Sequence, residues 1–180
     1  MLWSCHGVEM TNTLFVRFGE VHDGWLYVDL HVGHQHLQFP ASYIYASLSQ
    51  LATALVNLLW TEGEAQVTWT TEPVEFDFRF VANGEIIQFE VIRFDDARRV
   101  QHTGKVEIQA SVSRLILLRT FWRGLRELET RIPTDEYWGR QFPVSDLTTL
   151  TRYLKQYPSQ RDKEIVQRSL GLHKVLQRRL

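Results

Sequence analysis

The chain has 180 residues, 44% of them hydrophobic and 23% charged, with a formal net charge of −1. That balance predicts one soluble globular domain and argues against a dedicated DNA-binding module, which carries a basic excess. The one cysteine, Cys5, cannot form an intrachain disulfide and fits a reducing, cytoplasmic setting; no apolar run approaches the ~18 residues of a membrane span.

Residues 1–12 read as a flexible extension, with either Met1 or Met10 as the start. Residues 13–19 and 25–32 predict two strands. Leu26, Val28, Leu30 and Val32 alternate with Trp25, Tyr27, Asp29 and His31, the period of a half-buried strand. Asp23-Gly24 supplies the turn between them. Residues 33–40 read as a loop or short strand. Ser42 is a candidate cap for a helix to about residue 59, with Leu48, Leu51, Ala52, Leu55, Leu58 and Leu59 on one stripe.

Strands follow at 65–70, 74–82 and 85–94. In the second, Phe76, Phe78 and Phe80 alternate with Glu75, Asp77 and Arg79. Asn83-Gly84 predicts a two-residue type I′ turn. That turn would set Phe80 against Ile87, Phe78 against Phe89 and Phe76 against Val91. It would also set Asp77 against Glu90 on the outward face. A strand at 105–111 and a helix from Ser113 to about residue 131 come next. After an irregular, aromatic segment, residues 145–156 predict a short helix, and a last helix runs from Ser159 to the end.

The expected architecture is therefore α+β: a mostly antiparallel sheet of about six strands, two main helices on one face, and C-terminal helices. Residues 13–144 form the core domain and 145–180 a helical appendage.

Three features carry functional expectations. His31, His34 and His36 lie close enough to hold a metal if a turn at Gly33 folds the segment back, with Asp29 or His22 completing the shell. The plain alternative is a set of exposed loop histidines. Glu75, Asp77 and Glu90 form an outward acidic group that reads as a partner-binding patch, a pair of acid/base carboxylates or a solvated face. Residues 62–96 hold nine acids against two bases, and residues 152–180 hold eight bases against two acids, so the near-zero total hides two opposed fields. Trp25 and Tyr27, with Tyr137 and Trp138, are candidate anchoring aromatics. There is no glycine-rich phosphate loop, Gly-x-Ser-x-Gly elbow, His-Glu-x-x-His or Cys-x-x-Cys.

Asp23-Gly24-Trp25 before an alternating strand, the helix after Ser42, and the run from Thr71 to Phe76 leading into a hairpin resemble small bacterial α+β proteins of unknown function. Some of these resemble immunity proteins. The resemblance implies tight, non-catalytic binding of a basic toxin through an acidic surface.

The leading expectation is thus a protein-binding module with no cofactor, meeting a basic partner through Glu75, Asp77, Glu90, Trp25 and Tyr27. One alternative is a small metal-dependent or acid/base hydrolase using His31, His34 and His36. Another is a homo-oligomer assembled through the basic C-terminal helix.

Overall fold

The structure, a computed structural model, describes residues 10, 11, 13–99, 103–132 and 140–157. Among the described residues, eight strands and three helices run in the order β1 (Met10–Thr11), β2 (Leu14–His22), β3 (Trp25–Val32), β4 (Gln35–Ser42), α1 (Ser47–Trp60), β5 (Gly63–Thr70), β6 (Glu75–Asn83), β7 (Ile86–Phe94), β8 (Lys105–Ser113), α2 (Arg114–Glu129) and α3 (Val144–Lys155). The fold is α+β, as expected. The strands divide into two sheets instead of one: a five-stranded sheet in the order β1-β8-β7-β6-β5 and a three-stranded sheet β2-β3-β4. All pairings are antiparallel except β1 with β8. Met10 and Thr11, inside the expected extension, make that parallel pairing with Ser111 and Val112.

The period-two pattern explains the three-stranded sheet. Leu26, Val28, Leu30 and Val32 are fully buried on one face, together with Val16, Phe18, Phe39 and Ala41 from the neighbouring strands. Asp23 and Gly24, both at positive φ, close the β2–β3 hairpin, with His22 paired to Trp25. Residues 35–42 form a full strand where a loop or short strand was expected. The turn is Gly33-His34, and the alternation of Phe39 and Ala41 inward continues beyond it. Pro40 is tolerated because β4 is an edge strand and needs no outward N–H. Ser42 ends this strand, so α1 begins at Ser47.

The β6–β7 register corrects one expectation. Asn83 remains in the strand opposite Ile86, and Gly84 takes the first loop position at φ +56, where a side chain would be strained. Phe80 therefore faces Phe89, and Phe78 faces Val91. Asp77 faces Ile92, not Glu90, and Glu90 faces Arg79. The slip is two residues, so each side chain keeps its face and the apolar pattern fits both registers. The charges separate them: the observed one replaces a carboxylate pair by an arginine opposite a carboxylate.

Inward residues of both sheets share one core with the three helices. Phe121 of α2 sits edge-on to Phe78, Phe80 and Phe89, while Phe39 of β4 stacks on Phe76 at 4.4 Å. Gly124 lets α2 approach β2; a Cβ there would stand 3.2 Å from the Phe18 ring and the Val16 carbonyl. Each such phenylalanine is worth about 3–5 kcal/mol on truncation to alanine. The far face of the five-stranded sheet carries Glu75, Asp77 and Arg79. The far face of the three-stranded sheet carries Phe15, Tyr27, Asp29, His31 and His36.

Candidate functional site

The first polar cluster lies on the outer face of the three-stranded sheet. Asp29 and His31 are two apart on β3 and so share that face. His31 pairs directly with His36 on β4. The Gly33-His34 turn makes Val32 and Gln35 its closing pair, which places His31 and His36 in the next, non-hydrogen-bonded pair, where side chains come closest. The two imidazole rings stack at 3.9 Å with an 11° tilt. Both aim Nε2 at one oxygen: Asp29 Oδ1 lies 2.8 Å from His36 and 3.2 Å from His31. Phe15, opposite His31 on β2, sets its ring edge-on at 5.8 Å.

Two ties hold this hairpin in place. Gly33 N donates to the Thr13 carbonyl at 2.9 Å. The Gln35 side chain pairs with the backbone of Gln109 on β8, donating to its carbonyl at 3.1 Å and accepting from its N–H at 3.0 Å. The amide thereby extends the edge of β8 past the two residues of β1. His34 sits exposed in the turn, outside the cluster, and His22 pairs with Asp23 at 2.9 Å, both exposed.

The second cluster contains the carboxylates expected to meet a partner. Glu75, Asp77 and Glu90 are 1%, 4% and 7% exposed. Arg99, from the β7–β8 loop, closes over two of them. Its Nε donates to Glu75 at 2.5 Å, and its two terminal nitrogens donate to Asp77 at 2.7 and 2.9 Å. Tyr45 donates to the other Glu75 oxygen at 2.6 Å, and Gln66 and Thr68 donate to Asp77 at 2.9 and 2.8 Å. Arg99 also lies over the Phe94 ring at 5.2 Å. Every oxygen of both carboxylates thus accepts a hydrogen bond, as burial requires. Glu90 accepts from Gln109 at 2.7 Å and pairs with Arg79, which also clasps Glu64.

The electrostatics follow from these contacts. The Tyr45 phenol is pushed above its usual value, first by its hydrogen bond to Glu75 and then by burial. Burial would lower the Arg99 guanidinium, but its hydrogen bonds to Glu75 and Asp77 outweigh that and raise it. Arg79 is raised chiefly by its hydrogen bond to Glu64.

Of the residues singled out in the sequence, His31, His36 and Asp29 come together. His34 and His22 do not join them. Tyr27 is exposed on the same face, and Trp25 is half-buried at its end. Tyr137, Trp138 and the expected last helix fall outside the described residues. Arg99 escaped notice because it lies in a polar loop, 22 residues from Asp77, and no local spacing links them. No helix among the described residues is long and apolar enough to cross a membrane. No protein-family model, curated protein or solved structure matches this chain.

Proposed function

We propose that this chain is a non-catalytic protein-binding module whose docking face is the outer face of the three-stranded sheet. The observation that carries the reading is a pair of aromatics left half in solvent there, Phe15 at 50% and Tyr27 at 54% exposure. Aromatic side chains, Tyr and Phe among them, are enriched at protein interfaces relative to the rest of the surface. They flank Arg17, Asp29, His31 and His36, so the face offers apolar area and both signs of charge. Trp25 lies at its end. In this reading Glu75, Asp77 and Glu90 hold the other sheet together and do not meet the partner, because their oxygens are already engaged.

An immunity-type role against a basic toxin is the second reading. It is favoured by the acids of residues 62–96 that remain exposed: Glu62, Glu64, Glu72, Glu85, Asp95 and Asp96. These sit at strand ends and turns, away from the centre of the sheet face.

The two readings part in a binding experiment. A partner recovered with the wild-type chain is purified and titrated against Phe15→Ser with Tyr27→Ser, and separately against Glu72→Lys with Glu85→Lys. Loss of two anchors weakens the first by about 100-fold or more. A partner that ignores the aromatic pair but is lost with the charge reversals would replace the leading reading by the second.

A further inference from the structure

We propose that Asp29, His31 and His36 form a binding site for a late first-row divalent metal ion, with zinc as the reference case. This goes beyond the docking role, which needs no metal.

The argument begins with donor geometry. Metal–nitrogen and metal–oxygen bonds of about 2.0–2.2 Å set tetrahedral ligand atoms about 3.3–3.6 Å apart. The Asp29 oxygen already stands 2.8 and 3.2 Å from the two imidazole nitrogens, and the three donor atoms lie within 4.8 Å of one another. Small rotations of the side chains, with the backbone unmoved, bring all three to bonding distance of one ion. Both histidines turn Nε2 toward the carboxylate, so the donors already converge on one point.

The backbone holds the donors in this arrangement. Three residues on two adjacent strands of a paired hairpin carry them, and the hairpin is tied by Gly33 to Thr13, the residue before β2, and by Gln35 to β8. Rigid strands limit the entropy lost on binding. Phe15 against His31 restricts that ring further.

Donor chemistry selects the ion. Two imidazoles and one carboxylate suit zinc, nickel or copper, whereas magnesium and calcium prefer all-oxygen shells. Three protein ligands leave a fourth position open. It faces the same surface as Phe15 and Tyr27 and is open to a water or a ligand atom.

The test uses tag-free, full-length protein stripped with a chelator. Isothermal titration with zinc chloride is run on the wild type, His31→Ala, His36→Ala, the double variant, Asp29→Asn and His34→Ala. Circular dichroism and thermal melting check that each variant folds. One zinc per chain is expected. Each single histidine loss should weaken it by at least about 10- to 100-fold, the range seen when even outer-shell partners are removed. Asp29→Asn weakens it less, and His34→Ala leaves it unchanged. Zinc should also shift the side-chain nitrogen resonances of His31 and His36 together, and magnesium should shift neither. Absence of zinc binding to the wild type would overturn the proposal. So would binding that survives intact in the folded double variant.

Discussion

The two sheets each present carboxylates on their outer face, and the two clusters end in opposite states. On the five-stranded sheet, Glu75 and Asp77 are buried under Arg99, and each oxygen has a donor. On the three-stranded sheet, Asp29 is partly exposed and shares one oxygen between two histidines. The difference lies in what covers them. After β7, Arg99 comes down onto the first cluster. Short turns at Asp23-Gly24 and Gly33-His34 flank the second, and among the described residues neither turn folds over it. A carboxylate covered by a paired arginine becomes part of the fold, and the other keeps partial access to solvent.

That comparison can be broken at Arg99 first. Arg99→Ala strands two buried carboxylates. Removing one member of a buried ionic group costs about 3–5 kcal/mol, and the low end applies because Arg99 is 28% exposed. Urea unfolding measures the loss.

Tyr45 gives a smaller effect. Tyr45→Phe leaves one Glu75 oxygen without its donor, and a hydrogen bond to a charged group is worth about 1.5–3 kcal/mol. The pH dependence follows from the raised phenol. A group whose pKa is higher folded than unfolded contributes stability that is complete below its unfolded value, about 10 for tyrosine. That contribution fades as pH rises through the folded value. Wild-type stability should therefore fall faster than that of Tyr45→Phe above about pH 10, in urea melts taken across that range.

The smallest change belongs to the open cluster. Asp29→Ala should alter metal-free stability by no more than about 0.5 kcal/mol, as for ordinary surface positions. A loss of several kcal/mol would mean that this cluster, too, is part of the fold.

The alternation of Leu26 to Val32 made β3 legible in the sequence, because its inner face is wholly apolar. The β6–β7 hairpin was legible in existence and in facing, but not in register. A two-residue slip leaves every phenylalanine inward, and the two-residue loop falls at Gly84-Glu85, one position after the expected Asn83-Gly84. The Asp29–His31–His36 cluster was half legible. Spacing along β3 put Asp29 and His31 on one face, but bringing His36 opposite required β4 to be a full strand, and residues 33–40 read as a loop or a short strand. The closure of Glu75 and Asp77 was not legible. Alternation correctly assigned both to the face away from the core, and only the tertiary fold brings Arg99 over that face.

A double-mutant cycle tests the central claim most directly. Arg99→Ala is measured by urea unfolding in the wild-type background and again with Glu75→Gln and Asp77→Asn. If Arg99 closes a buried carboxylate pair, its loss should cost much less once the carboxylates are neutral, with a coupling of about 2 kcal/mol or more. Additivity within about 0.5 kcal/mol, the limit for independent sites, would contradict the account and return Glu75 and Asp77 to the pool of free surface charge.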